Sequence, residues 1–145
     1  MSQDPRLTLD EANRIVTGAL EKAGTLGLKP LTVVVLDAGS HAIALQRQDN
    51  SSTMRPQIAT AKASSALGLG IPSRKIAEMA AERPSFVAAL GAIAPDGVVP
   101  SPGGVLISRD GKVAIGAVGI TGDTGDNDEA CALAGLAAAG LQSLG

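Results

Sequence analysis

The sequence predicts an α+β domain with a single antiparallel sheet, built from two hairpins and flanked by helices. The strand-like segments occur as two adjacent pairs, and each pair is joined by a short turn. Helical patterns lie before, between and after these pairs, without the strand–helix alternation that a parallel sheet requires. The 145 residues fit one domain over residues 1–145.

The first helix is predicted by its cap and by its apolar spacing. Thr8 and Glu11 have the spacing of a capping box. Gly24 and Gly27 are expected to end the helix. Between these limits one face is apolar and consists of Leu9, Ala12, Ile15, Val16, Ala19, Leu20 and Ala23.

The first hairpin and the helices after it follow in order. Residues 31–36 are apolar and β-branched, residues 37–40 form a turn, and residues 41–48 alternate as a strand. Pro56 suits the first turn of a helix that reaches about Leu67. Two shorter helices are expected at 73–79, capped by Ser73, and at 84–90, begun by Pro84.

The second hairpin and a last helix complete the chain. Strands at 105–108 and 112–120 are joined through the Asp110-Gly111 turn signal. Asp126 or Asn127 is expected to cap the final helix, which is predicted to end near Leu144.

Composition and charge exclude several classes of protein. The net charge of −2 leaves no basic surplus for nucleic acid. Apolar runs such as residues 31–36 are too short to span a membrane, and residues 1–10 lack the layout of a secretion signal. The lone Cys131 suits a reducing compartment, so a cytoplasmic location is expected.

The chain has one Phe and neither Tyr nor Trp. Alanine and valine each bury little area, so a core made of them needs many contacts to offset chain entropy. We therefore expect part of the apolar surface to be buried between subunits, in a homo-oligomer larger than a dimer.

A candidate anion site is predicted from Arg47, Lys62, Gly103, Gly104 and Asp128. Arg47 ends the second strand, and Lys62 lies among alanines in the next helix. The two cations suit a carboxylate, and the paired glycines allow backbone amides to approach a ligand. The alternative is a solvated lysine, a tight entry into the strand and an ordinary helix cap.

His41 is the only histidine, which excludes a multi-histidine zinc site. Residues 119–128 lack the lysine of a phosphate loop and the ligand spacing of a calcium loop, and no nucleophile elbow occurs, so no metal site is predicted and no catalytic residue is assigned. His41 is able to act as an axial haem ligand, or it is simply an exposed turn residue.

Short segments over nearly the whole chain form a pattern that is specific as an ordered set. They are LTLDEA (7–12), VVVLDAG (33–39), RQD (47–49), AKA (61–63), PGGV (102–105), GAVG (116–119), GDT (122–124) and DNDE (126–129). With these segments the chain resembles the GlcG/HbpS-like haem-binding family, whose domain also occurs fused to PduO-type cobalamin adenosyltransferases. The resemblance implies a profilin-like α+β domain in a higher oligomer, and haem as a cofactor.

Two functional hypotheses stay open. The first is an oligomer that binds haem or a related tetrapyrrole, in haem handling or an oxidative-stress response, as the resemblance implies. The alternative is an enzyme or binder for a small carboxylate in a catabolic pathway, with Arg47 and Lys62 as the anion clamp. The resemblance implies histidine ligands near the domain start, and the absence of histidine from the first helix favours the alternative.

Overall fold

The computed structural model describes residues 5–145. Helix α1 (Leu9–Leu26) begins with the predicted capping box, in which the Thr8 side chain accepts from the Glu11 amide and the Glu11 carboxylate accepts from the Thr8 amide. It ends at Gly27, whose φ of 65° is the left-handed conformation that glycine adopts without strain.

One antiparallel sheet of five strands organises the chain. The strands are β1 (Thr32–Asp37), β2 (Ala42–Arg47), β3 (Gly104–Ser108), β4 (Ala114–Thr121) and β5 (Gln142–Leu144), in the order β2-β1-β4-β3-β5. The α+β class and the two predicted hairpins are confirmed, and β1 pairs with β4, so the hairpins lie side by side.

The end of the chain departs from the prediction of a helix reaching Leu144. Helix α5 (Gly125–Ala138) begins after Thr124, whose side chain accepts from the Asn127 amide, so Thr124 and not Asp126 or Asn127 is the cap. The chain turns at Gly140, where φ is 70°. Strand β5 then pairs with β3 and adds a fifth strand to the sheet.

Helices cover both faces of the sheet. On one face α1 and α5 pack over alternate strand residues that include Val33, Val35, Val118 and Ile120. On the other face α2 (Arg55–Leu69) packs its alanines over the intervening residues. Two further helices, α3 (Ser73–Glu82) and α4 (Pro84–Ile93), lead back to β3.

Helix α2 approaches the sheet closely because two facing strand positions are glycine. Gly104 and Gly119 are paired across β3 and β4. A methyl group at Gly104 would overlap the carbonyl oxygen of Lys62, and one at Gly119 would overlap that of Ala59. Any side chain at either position would push α2 outward and open the interface.

Candidate functional site

The Lys62 side chain lies beneath α2 and forms a buried ion pair. It is 2% exposed, and its Nζ donates to the Ile120 carbonyl at 2.9 Å and to Asp128 Oδ2 at 3.2 Å. Asp128 is 1% exposed, and its other oxygen accepts from the Asp123 amide at 3.0 Å. Both charged groups are therefore satisfied within the protein.

Burial and pairing act in opposite directions on this pair. Burial lowers the pKa of the Lys62 amine, while the charge of Asp128 opposes that change. Burial likewise raises the pKa of the Asp128 carboxyl, against the effect of Lys62. Desolvation of both ions is the larger influence, because neither side chain reaches water.

Gly103 and Gly104 complete this buried cluster and serve backbone packing. Gly103 has φ of 131°, and a Cβ there would lie 2.9 Å from Lys62 Nζ. The carbonyl of Gly103 accepts from the Ile120 amide. The Gly104 amide donates to Ser73 Oγ at 2.7 Å, and Ser73 Oγ donates to the Ser101 carbonyl. The Ser73 hydroxyl joins α3 to β3 in place of the helix cap predicted for it, and no side chain caps α3.

Arg47 does not join the other four residues. Its guanidinium donates to the Ser51 carbonyl at 2.7 Å, and its side chain lines a separate shallow depression with Leu28, Pro30, Gln48 and Asp49. The structure thus brings together Lys62, Gly103, Gly104 and Asp128. Their role in binding a ligand stays a prediction.

A different arginine, Arg55, approaches Lys62. Its NH1 donates to Thr121 Oγ1 at 2.7 Å, and its charge contributes to lowering the pKa of Lys62. The residue pattern of the sequence does not single out Arg55. The signal was its position seven residues before Lys62, which places both side chains on one face of α2 after two turns.

His41 lies on the turn between β1 and β2, on the rim of a cleft. Its ring Nδ1 is 3.3 Å from Asp37 Oδ1, and the side chain is 80% exposed. Asp37 Oδ1 also accepts from the amides of His41 and Gly39. These bonds, led by the His41 amide, lower the pKa of the Asp37 carboxyl.

The cleft beside His41 has a volume of about 560 Å³ and mainly apolar walls. They come from the segment before α1, the β1–β2 turn, the start of β2 and the start of β4. The residues are Pro5, Arg6, Leu7, Asp37, Ala38, Gly39, His41, Ile43, Val113, Ala114 and Ile115. Val113, which forms part of this wall, is 61% exposed.

Residues 5–145 provide neither a ready metal site nor a membrane-spanning helix. Over this part of the chain, no three or more His, Cys, Asp or Glu side chains are grouped so as to hold a metal ion. No helix among the described residues has the length and apolar character needed to cross a membrane.

Comparison with known proteins identifies a family and a shared fold. A family model described as haem degrading protein HbpS-like matches residues 7–137. The crystal structure of HbpS is 26% identical with a TM-score of 0.78, over 94% of this chain and 92% of that chain. No curated protein sequence matches at a significant level.

Two other solved structures share the fold at lower identity. A PduOC–haem complex has a TM-score of 0.84 and 22% identity, over 97% of this chain and 99% of that chain. Protein ORFY of Klebsiella pneumoniae has a TM-score of 0.83 and 24% identity, over 96% of this chain and 94% of that chain.

Proposed function

This chain belongs to the HbpS-like family, described as haem degrading proteins, and on that basis we propose that it binds haem in the cleft beside His41. The observation that carries the proposal is the arrangement of His41, its carboxylate partner and an apolar cleft. A neighbour of the same fold was crystallised as a haem complex, which supports the choice of ligand.

The residues fit the group chemically. A histidine that binds a metal usually directs its second ring nitrogen to a carboxylate or carbonyl, which fixes the tautomer and orients the ring. Asp37 Oδ1 lies 3.3 Å from Nδ1 of His41, and a proton held at Nδ1 by this carboxylate would leave the lone pair of Nε2 for a metal. Haem iron, when bound, would supply the metal centre that accepts such a nitrogen. Leu7, Ile43 and Val113 provide the apolar contact that a porphyrin requires.

Haemin titration followed in the visible spectrum tests the proposal. We expect a Soret shift with the parent protein, and a changed Soret band with at least tenfold weaker affinity for His41→Ala. Gln46→Ala, on the strand that follows His41 and outside the cleft, is the control and should bind as the parent does. An identical Soret band in His41→Ala would remove His41 as ligand. No Soret shift in the parent would overturn haem binding and favour the small-carboxylate alternative.

We also propose that the chain assembles into a homo-oligomer larger than a dimer. Helix α4 supports this proposal, since it is strongly apolar and only Val87 in it is buried. Ile93 at its end is 78% exposed. Such surface is usually covered in an assembly. Light scattering at micromolar concentration tests it, and a monomer mass would refute it. A cytoplasmic location, based on the unpaired Cys131, stays a prediction.

A further inference from the structure

One wall of the cleft is a segment without regular secondary structure. Residues 5–7, here named the strap, precede α1 and lie against the β3–β4 hairpin. Pro5 and Arg6 are exposed, and only Leu7 is buried. Leu7 contributes to the core, with its Cδ2 close to Gly116 on β4. A single apolar anchor gives little rigidity to a wall of this kind, so other contacts must fix it.

Arg109 supplies those contacts from the β3–β4 turn. Its Nε donates to the Pro5 carbonyl at 3.3 Å, and its NH2 donates to the Arg6 carbonyl at 2.9 Å. The same guanidinium forms a two-bond fork with the Glu11 carboxylate, with both distances 2.7 Å. Forked arginine–carboxylate pairs are among the stronger hydrogen-bonded contacts of a protein surface.

Glu11 connects this fork to the start of α1. Its carboxylate accepts from the Thr8 amide as well as from Arg109, so the helix cap and the strap are fixed by the same group. The pair with Arg109 holds the pKa of Glu11 at about 2, so the carboxylate is ionised over the physiological range.

The strap also separates two clefts. Beyond it lies a second cleft of about 730 Å³, lined in part by Thr8, Glu11 and Arg109. Pro5, Val113 and Ile115 line both clefts. Movement of the strap would therefore remove a wall of the His41 cleft and join the two spaces into one wider trough.

We infer that Arg109 is a positioning residue that latches the strap, and thereby keeps the His41 cleft closed on one side around its ligand. The inference about the ligand rests on the proposed haem binding, whereas the latch itself does not. A lysine cannot replace Arg109, because one ammonium does not reach two carbonyls and both carboxylate oxygens together.

The latch is tested without ligand by trypsin, which cleaves after Arg6 within the strap. Cleavage requires the strap to leave the surface, so its rate reports the open population. We expect Arg109→Gln and Arg109→Lys to raise the initial rate of cleavage after Arg6 at least tenfold, measured by mass spectrometry. Arg14→Gln is the matched control, since it breaks an exposed ion pair to Asp10 on α1, the helix that also carries Glu11. Its rate should equal that of the parent.

Haemin release tests the consequence for the site. We expect Arg109→Gln to release haemin about tenfold faster with an unchanged Soret maximum, because His41 is retained. If Arg109→Gln does not fold by circular dichroism, Glu11→Gln carries the test, with about threefold faster cleavage. Unchanged cleavage in the folded variants would overturn the latch. Faster cleavage with unchanged haemin release would overturn its role in the site. A parent that binds no haemin would defeat the proposed function, and the trypsin result would still decide the latch.

Discussion

The buried pair of Lys62 and Asp128 predicts single variants whose stabilities depend on pH in opposite directions. Asp128→Asn leaves the Lys62 ammonium buried, with the Ile120 carbonyl as its remaining acceptor. Removing one partner of a buried pair costs about 3–5 kcal/mol. Deprotonation limits this cost. A lysine with an ordinary pKa of 10.5 loses its proton at pH 7 for roughly 5 kcal/mol, since one pH unit is worth about 1.4 kcal/mol.

The direction for each variant follows from proton binding. In Asp128→Asn the pKa of Lys62 in the folded state lies below its unfolded value, so the folded state binds fewer protons between the two values. The free energy of unfolding of this variant therefore rises with pH. At pH 9.5 deprotonation of Lys62 limits the loss of stability to roughly 1.4 kcal/mol. In Lys62→Met the pKa of Asp128 lies further above its ordinary 3.8. That variant is most stable at acidic pH and loses stability as the pH rises.

Urea unfolding at pH 5, 7 and 9.5, with the parent measured at each pH, checks both slopes. We expect the double variant Lys62→Met/Asp128→Asn, which has no buried charge, to be more stable at pH 7 than either single variant. Arg14→Gln, which breaks an exposed pair, should lie within about 0.5 kcal/mol of the parent. Equal losses for Asp128→Asn at pH 7 and 9.5 would refute the reasoning.

Three more predictions concern packing, acid stability and thiol reactivity. Gly119→Ala, which puts a methyl group onto α2, should lower the free energy of unfolding by about 3 kcal/mol; Gly68→Ala, with open space around it, should be neutral or gain up to about 1 kcal/mol, both measured in urea. The pKa of Glu11 is lowered to about 2 from an ordinary 4.5, so its ion pair contributes stability that is present above pH 4.5 and is lost as the pH falls towards 2. After solvent screening, we expect thermal melts in acid to show a loss on the order of 1 kcal/mol. Glu11→Gln should lack this dependence on pH. Burial raises the pKa of Cys131 to about 11, so a thiol reagent at pH 8 should label it only as fast as the protein unfolds, and rapid labelling of the folded protein would contradict its burial.

Elements fixed by local interactions were predictable from the sequence. The cap of α1 needs only Thr8 and Glu11, which are three residues apart, and its end needs only Gly27. The end of α5 was missed because the alanine-rich residues after 130 favour a helix throughout. The chain leaves the helix there to pair β5 with Ser108 and its neighbours on β3, and such a distant partner leaves no local signal.

In the candidate site, too, part of the arrangement is predictable from the sequence and part depends on distant contacts. Adjacent hairpins predict that Lys62, Gly103 and Asp128 lie together, and the structure, in which β1 pairs with β4, has them in contact. The short loop between Arg47 and α2 predicts that Arg47 belongs to the same group. Its side chain instead closes that loop by donating to Ser51. Proximity along the chain thus predicts which residues lie near the buried pair. The direction of each side chain decides that Lys62, and not Arg47, reaches Asp128.

Gly104 and Gly119, which lie beneath α2, leave no space for a ligand between this helix and the sheet. With backbone atoms of helix and strand in contact at Gly104 and Gly119, that layer has no room for a guest molecule. A larger residue at either position creates strain and not a cavity. New binding specificity is therefore expected outside this layer, for example in the turns that carry His41 and Arg109, where side chains vary without disturbing the layer below.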